Sequence, residues 1–118
     1  MGIRSYKDLK VWQTGMRLCV QVYELSGNLP KNEQFGLISQ MRRAVVSVPA
    51  NIAEGHRRQY DKEFCQFLHI SLGSLAEVET YLCLCEQLEY INEARLAPLY
   101  TQIEELGKML HGLIDKVR

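Results

Sequence analysis

The sequence predicts an all-α fold, an antiparallel up-down-up-down left-handed four-helix bundle. Every long segment repeats its apolar residues at steps of three and four, and none alternates in the way of a β-strand. This spacing of ~3.5 residues favours a left-handed twist with helix crossings near ~20°. The length of 118 residues suits one domain, and a hydrophobic content of 47% is enough for a buried core. We therefore expect residues 1–118 to form a single domain.

The first helix is predicted at residues 8–26. One helix face carries its apolar residues, which are Leu9, Trp12, Met16, Cys19 and Tyr23. The sequence Ser26-Gly27-Asn28 ends this helix, because glycine and asparagine tolerate the left-handed conformation of a C-cap.

The second helix is predicted at residues 32–57, with Asn32 as its N-cap. Its apolar stripe consists of Met41, Val45, Val48 and Ile52. Pro49 removes one backbone donor and crowds the carbonyl group four residues earlier. We expect a kink in this helix near Pro49, and the alternative is a complete break.

The third helix is predicted at residues 61–89, with Asp61 as its N-cap. Its apolar seam consists of Phe64, Leu68, Ser71, Leu75, Val78, Leu82 and Cys85. Small residues cluster in its middle, at Gly73, Ser74 and Ala76, where they would let another helix approach closely.

The fourth helix is predicted at residues 92–117, capped by Asn92. Its seam consists of Leu96, Leu99, Ile103, Leu106, Leu110, Leu113 and Val117. Pro98 is tolerated because it lies in the early turns, where backbone donors lack helical acceptors.

Charge is balanced over the whole chain but not along it. Fourteen basic and fourteen acidic residues give a formal net charge of +0, so global charge does not indicate a nucleic-acid or membrane partner. Between Arg42 and Lys62 five basic residues face two acidic ones, whereas seven glutamates face one arginine between Glu77 and Glu105. This split indicates surfaces sorted by charge, and the alternative is a set of solvated helix faces.

No apolar run approaches the ~20 residues of a membrane span, and the N-terminal sequence lacks the apolar core of a signal peptide. We therefore expect a cytoplasmic protein with no membrane partner. Its four cysteines, Cys19, Cys65, Cys83 and Cys85, should be reduced thiols.

The chain resembles the bacterial four-helix-bundle proteins named after the intervening sequences of 23S ribosomal RNA genes. The resemblance covers nearly the whole chain and rests on five stretches: DLKVWQ at 8–13, LPKNEQFGL at 29–37, SQMRRAVVSVPANIAEG at 39–55, KEFCQFL at 62–68 and GSLAEVET at 73–80. It implies a four-helix bundle that assembles into a homopentameric ring or barrel. A related protein, the accessory variability determinant of diversity-generating retroelements, implies an association with nucleic acid. No catalytic residues are implied.

A stripe of small and polar residues runs along helix 2 beside its apolar stripe. Its members are Gln40, Ala44, Ser47, Asn51 and Glu54. Buried polar groups without partners are costly, so we expect the stripe to form a packed seam between subunits. Its counterpart on helix 3 would be Gly73, Ser74 and Glu77. The alternative is an exposed face.

Four arginines at the two ends of the predicted helix 2 form the candidate nucleic-acid contact. They are Arg42, Arg43, Arg57 and Arg58. Guanidinium groups bind phosphate oxygens through two parallel hydrogen bonds. Adjacent positions on a helix differ by about 100°, which works against a shared face. The alternative is ordinary salt bridges to the Glu-rich helices.

Catalytic and metal-binding patterns are weak. Cys65 and His69 share a helix face, but two ligands do not make a metal site. The positions three before His56, His69 and His111 lack a carboxylate, so the Glu-x-x-His pattern of di-iron bundles is missing. We expect no metal, no cofactor and no enzymatic activity.

These observations predict a non-enzymatic oligomeric scaffold, a homo-oligomer and by resemblance a pentamer. Our first hypothesis is an accessory protein associated with RNA or DNA. The alternative is a protein–protein interaction module, a ring that docks a protein partner without nucleic acid.

Overall fold

The computed structural model describes residues 5–118, and this part of the chain contains four long α-helices and no strand. The helices are α1 (Lys10–Ser26), α2 (Ser39–His56), α3 (Asp61–Gln87) and α4 (Glu93–Val117). The prediction of an all-α fold with four helices is thus confirmed. The antiparallel order, the left-handed twist and the kink stay predictions, as does a single domain over 1–118, whose first four residues lie outside the described part. No helix of the described residues is both long and apolar enough to cross a membrane.

Each helix packs against two others. Contacts join α1 to α2, α2 to α3, α3 to α4 and α4 back to α1. The core between them contains side chains with almost no exposed surface from all four helices, namely Leu18, Val22, Met41, Val45, Val48, Ile52, Leu68, Val78, Leu82, Leu96, Leu106 and Leu110. The seams predicted for α2 and α3 are in this core, apart from a half-buried Phe64. In α4 the last turns bury Ile114 rather than the predicted Leu113 and Val117.

The apolar face predicted for the first helix is wrong in part. Met16 and Tyr23 are 41% and 43% exposed, whereas Leu18 and Val22 are fully buried. α1 carries apolar residues on two faces, and periodicity alone cannot decide which of them meets the core. The packing of α1 against α2 shows which face is buried. Gly15 lies on that face, where an added Cβ would lie 3.5 Å from the side chain of Pro49.

The segment before α2 is not α-helical. A 3-10 turn at Lys31–Glu33 leads into a π-helical turn at Gln34–Ile38, and α2 begins only at Ser39. No side chain caps either turn, so Asn32 does not act as the N-cap that was predicted. The wider π-helical turn buries Leu37 and leaves Phe35 in solvent.

α2 continues through Pro49 from Ser39 to His56, so the alternative of a complete break does not occur. Three contacts run along the α1–α2 interface. Arg42 Nε donates to Ser26 Oγ at 2.8 Å, Cys19 Sγ donates to the Val45 carbonyl at 3.2 Å, and Gly15 lies against Pro49.

The helix ends differ in how well they were predicted. Asn92 caps α4 as expected, since its Oδ1 accepts from the backbone N of Arg95 at 2.9 Å. Asp61 is the first residue of α3 rather than its cap. α1 ends at Ser26 as predicted, but Gly27 has a φ of −64° and is not left-handed. The left-handed residue is Glu89, with a φ of 61°, just after α3.

Candidate interaction surfaces

The structure brings four of the eight predicted seam residues together, namely Gln40, Ala44, Ser47 and Glu77. A depression of about 210 Å³ between α2 and α3 is lined by Gln40, Arg43, Ala44, Ser47 and Glu77. On α3 the surface beside Gly73 is open, because an added Cβ would meet nothing within 4 Å. The depression therefore presents polar and charged side chains, those of Gln40, Arg43, Ser47 and Glu77, beside the buried Ala44.

Three polar residues of this stripe, Ser47, Asn51 and Glu54, are bonded to residues of α2 or of the turn after it. Ser47 Oγ donates to the Ala44 carbonyl at 2.6 Å, and Asn51 Nδ2 donates to the Ser47 carbonyl at 2.7 Å. Glu54 forms an ion pair with Arg58 at 3.1 Å. Asn51 and Glu54 thus have partners inside the chain, and pairing with Ser74 and Glu77 of another subunit stays a prediction.

Arg42 has a structural position that the sequence did not reveal. Besides its bond to the buried Ser26 hydroxyl, its Nη2 donates to the Tyr23 carbonyl at 3.1 Å. Its guanidinium carbon lies 4.5 Å from the centroid of the Tyr23 ring, within range of a cation–π contact. Arg42 therefore joins the end of α1 to the start of α2, and its Nε–H and one Nη2–H are already engaged.

The remaining arginines differ from one another. Arg58 lies between Glu54 and Glu63, at 3.1 and 3.7 Å, and covers the Phe67 ring. Arg57 lies over the Tyr6 ring, with 5.5 Å to the centroid. Arg43 is exposed, and no salt bridge joins it to a described residue. Arg58 thus forms salt bridges, which were the predicted alternative to phosphate binding.

The four arginines do not form one cluster. Arg42 and Arg57 are fifteen residues apart on one helix, which corresponds to about 22 Å along its axis. Phosphate binding by all four would therefore require an extended ligand. Of the four, Arg43 has the side chain with the fewest contacts inside the described chain.

A second surface lies where α1 meets the start of α2, and sequence reasoning missed it. A depression of about 520 Å³ is bordered by aromatic, aliphatic and basic side chains, among them Tyr23, Phe35, Arg42, Arg43 and Val46. Phe35 is 90% exposed, more than any other large apolar side chain described. The signal for it was present, because Phe35 lies off the apolar stripe of helix 2.

The cysteines are free thiols. Burial raises the pKa of Cys19 from the ordinary value of 9.0 to about 11. Burial, and then the charge of Glu33, raises the pKa of Cys85 to about 11 as well. Both thiols are therefore protonated near neutral pH and have little nucleophilic character.

One polar cluster lies on the α3–α4 side. The Tyr100 hydroxyl donates toward Glu86 Oε1 at 3.1 Å and lies 3.5 Å from Cys83 Sγ. Burial, followed by the bonds to Cys83 and Glu86, raises the pKa of Tyr100. The described residues contain no group of three His, Cys, Asp or Glu side chains placed to hold a metal.

Comparison with known proteins gives the family. The family model described as 23S rRNA-intervening sequence protein matches residues 7–112. A solved structure from Bacteroides thetaiotaomicron, a protein with unknown function from the S23 ribosomal protein family, is 26% identical. The likeness covers 89% of this chain and 95% of that chain, with a TM-score of 0.82. No curated protein matches the chain. With an all-α four-helix structure and a match over most of its length, the chain belongs to the 23S rRNA-intervening sequence protein family.

Proposed function

We propose that this protein is a non-enzymatic scaffold that assembles with copies of itself. The observation that carries the proposal is the exposure of Phe35, which is 90% accessible beside Tyr23 and Val46. Contiguous apolar surface of this kind is characteristic of protein interaction sites. The depression between α2 and α3, lined by predicted seam residues, adds a second surface suited to close helix approach.

The bundle that would present these surfaces is antiparallel and left-handed. The order of the α1–α2 contacts supports the antiparallel direction of these two helices, since residues 26, 19 and 15 of α1 meet residues 42, 45 and 49 of α2 in turn. Residue numbers thus fall along α1 where they rise along α2, as in an antiparallel pair of helices. A kink at Pro49 fits the missing backbone donor, because solvent or side chains must then satisfy the carbonyl four residues earlier.

A homopentamer is the subunit number that the family resemblance implies, and it forms part of the proposal. Five copies in a ring would each use two different surfaces, one toward either neighbour. The chain presents two such surfaces, one bordered by Phe35 and one by Glu77. In this form the protein would dock other macromolecules on the outside of the ring.

Association with RNA or DNA is the second candidate function. Arg43 supports it, because it is exposed and no salt bridge joins it to a described residue. Arg57, which lies over the Tyr6 ring and forms no salt bridge with a described residue, supports it as well. A ring would repeat both side chains several times, so that weak phosphate contacts would act together. The net charge of +0 favours the scaffold without nucleic acid.

One experiment separates these functions. Subunit mass is measured by light scattering on protein freed of nucleic acid, and RNA binding is measured by fluorescence anisotropy over ~50–200 mM salt. The scaffold proposal requires a mass above that of one chain at micromolar concentration, and a monomer would overturn it.

The RNA-binding measurement needs variants that leave the fold intact. Arg43→Gln together with Arg57→Gln should reduce both the affinity and its salt dependence, because the slope counts the phosphates that are neutralised. Lys108→Gln is the matched control, since Lys108 pairs only with Glu104 on its own helix. An absence of RNA binding at ~50 mM salt would leave the protein–protein scaffold as the function.

A further inference from the structure

The large apolar side chains that the described chain leaves exposed fall mainly on two faces. Five border the junction of α1 and α2, which we name the α1–α2 face: Met16, Val20, Tyr23, Phe35 and Val46. Three lie along α3 and define the α3 face: Ile70, Leu84 and Leu88. Tyr60, in the turn before α3, is the remaining exposed side chain of this kind. A monomer would thus keep two separate apolar surfaces in water.

The α1–α2 face is concave and basic. Met16, Val20 and Tyr23 follow one another at steps of four and three, so they share one side of α1. The depression of about 520 Å³ connects Tyr23 to Phe35 and Val46. Arg42 and Arg43 also line this depression, and no carboxylate does.

The α3 face is a ridge on one helix and is acidic at its centre. Ile70 and Leu84 are each seven residues from Glu77, and Leu88 is one turn further on, so all four share one side of α3. Glu77 is exposed and accepts a hydrogen bond from the Tyr81 hydroxyl at 3.3 Å. No salt bridge joins Glu77 to a described residue.

We propose that the α1–α2 face of one chain docks onto the α3 face of a second copy. This inference rests on the proposed scaffold function and specifies its contact. The ridge of Ile70, Leu84 and Leu88 would fill the depression between Tyr23, Phe35 and Val46. Arg43 would then lie opposite Glu77 of the neighbouring chain.

Charge determines that unlike faces meet. Pairing two α1–α2 faces would oppose two copies of Arg43, and pairing two α3 faces would oppose two copies of Glu77. Within one chain Arg43 and Glu77 border the same depression between α2 and α3 without forming a salt bridge. Both charges are therefore available to a neighbour. A closed ring of such contacts would also bury both faces of every chain, whereas an unrelated partner on one face would leave the other in water.

The test uses two variants of the full chain. Phe35→Glu with Val46→Glu disables the α1–α2 face, and Leu84→Lys with Leu88→Lys disables the α3 face. All four side chains are exposed, so both variants should fold with unchanged helical circular dichroism. By light scattering each variant alone should have the mass of one chain, while Tyr60→Ser should keep the wild-type mass.

The decisive measurement is the mass of an equimolar mixture of the two variants. Each variant retains the face that the other lacks, so the mixture should form pairs with the mass of two chains, and no larger assembly because the outer faces of each pair are disabled. A mixture that stays monomeric, or variants that keep the wild-type mass, would overturn this contact. A wild-type protein that is itself monomeric would overturn the scaffold function as well, so the two failures are distinguishable.

The proposed ion pair has its own test. Arg43→Glu should lower the mass at a fixed micromolar concentration, and so should Glu77→Arg. The double variant restores opposite charges across the contact and should recover the assembled mass. Failure of the double variant to do better than either single variant would exclude pairing of Arg43 with Glu77.

Discussion

The thiol of Cys19 on α1 donates a hydrogen bond to the carbonyl oxygen of Val45 on α2, with 3.2 Å between Sγ and O. In an uninterrupted α-helix this carbonyl would accept from the backbone N–H of residue 49. Residue 49 is proline, which has no N–H. The cysteine of one helix thus supplies a donor that the proline of the next helix lacks.

Removal of this donor should destabilise the fold in a way that depends on Pro49. Cys19→Ala should lower the free energy of unfolding by about 1–3 kcal/mol, because it leaves the buried Val45 carbonyl unpaired. In a Pro49→Ala background the backbone N–H returns, so the same substitution should cost about 1 kcal/mol less. Chemical denaturation of the four proteins measures the coupling. Cys85→Ala is the control and should cost the same in both backgrounds.

Stability should decrease at alkaline pH. The folded state raises the pKa of Cys19 and Cys85 from 9.0 to about 11, so it favours their neutral thiols. The unfolded chain releases these protons first as pH rises. Their contribution to the free energy of unfolding is therefore complete below about pH 9 and is lost as pH approaches about 11.

Urea unfolding at pH values from ~8 to ~11 checks this decrease. Replacing Cys19 and Cys85 with valine should flatten the profile. Some slope should remain, because burial also raises the pKa of Tyr100. An unchanged slope in the valine variant would mean that the buried thiols do not titrate in this range.

Glu89→Gly should stabilise the protein by about 1 kcal/mol. Glu89 has a φ of 61°, and the bonds Tyr90 N to Cys85 O and Glu89 N to Glu86 O, at 2.9 and 3.0 Å, form a Schellman motif. Glycine adopts this left-handed conformation without the steric cost of a Cβ, and it also removes a negative charge from a helix C-terminus. Thermal unfolding measures the gain. Gln87→Gly, inside the last turn of α3, should instead lower stability.

Substitution by alanine should lower the stability of the protein at one glycine and raise it at another. A Cβ at Gly55 would lie 2.6 Å from the Phe67 Cβ, so Gly55→Ala must separate α2 from α3 and should cost about 1–3 kcal/mol. A Cβ at Gly73 meets nothing within 4 Å, so Gly73→Ala should gain about 0.5–1 kcal/mol from helix propensity. Chemical denaturation of both variants tests the contrast, which equal effects would contradict.

Sequence patterns predicted the fold where each helix has one strong seam. The α3 seam from Leu68 to Cys85 lies in the core as predicted, because the other positions of that helix are mostly polar or small. α1 was assigned the wrong face in part, because Leu18 and Met16 are both apolar, and which of them is buried depends on how α1 packs against α2, where Gly15 lies against Pro49. The π-helical turn before α2 was missed, because residue propensities do not distinguish it from an α-helical turn.

The surfaces were harder to predict than the core. Gln40, Ala44, Ser47 and Glu77 were predicted to share a surface, and the structure places them around one depression. Arg42 was predicted as a candidate phosphate contact, and its bond to Ser26 was not foreseen because Ser26 is sixteen residues away in sequence. Phe35 was missed although it lies off the apolar stripe predicted for helix 2; what no local pattern encodes is how its short turn is oriented against α1.

The exposure of Phe35 also bears on how the stability of this protein depends on its concentration. If the scaffold proposal holds, native chains are withdrawn into assemblies, while unfolded chains are not. By mass action the unfolding midpoint should then rise as total protein increases. In a cell the same linkage would make newly synthesised copies most vulnerable to proteolysis while they are few. The abundance of the protein would thus help to set its own lifetime.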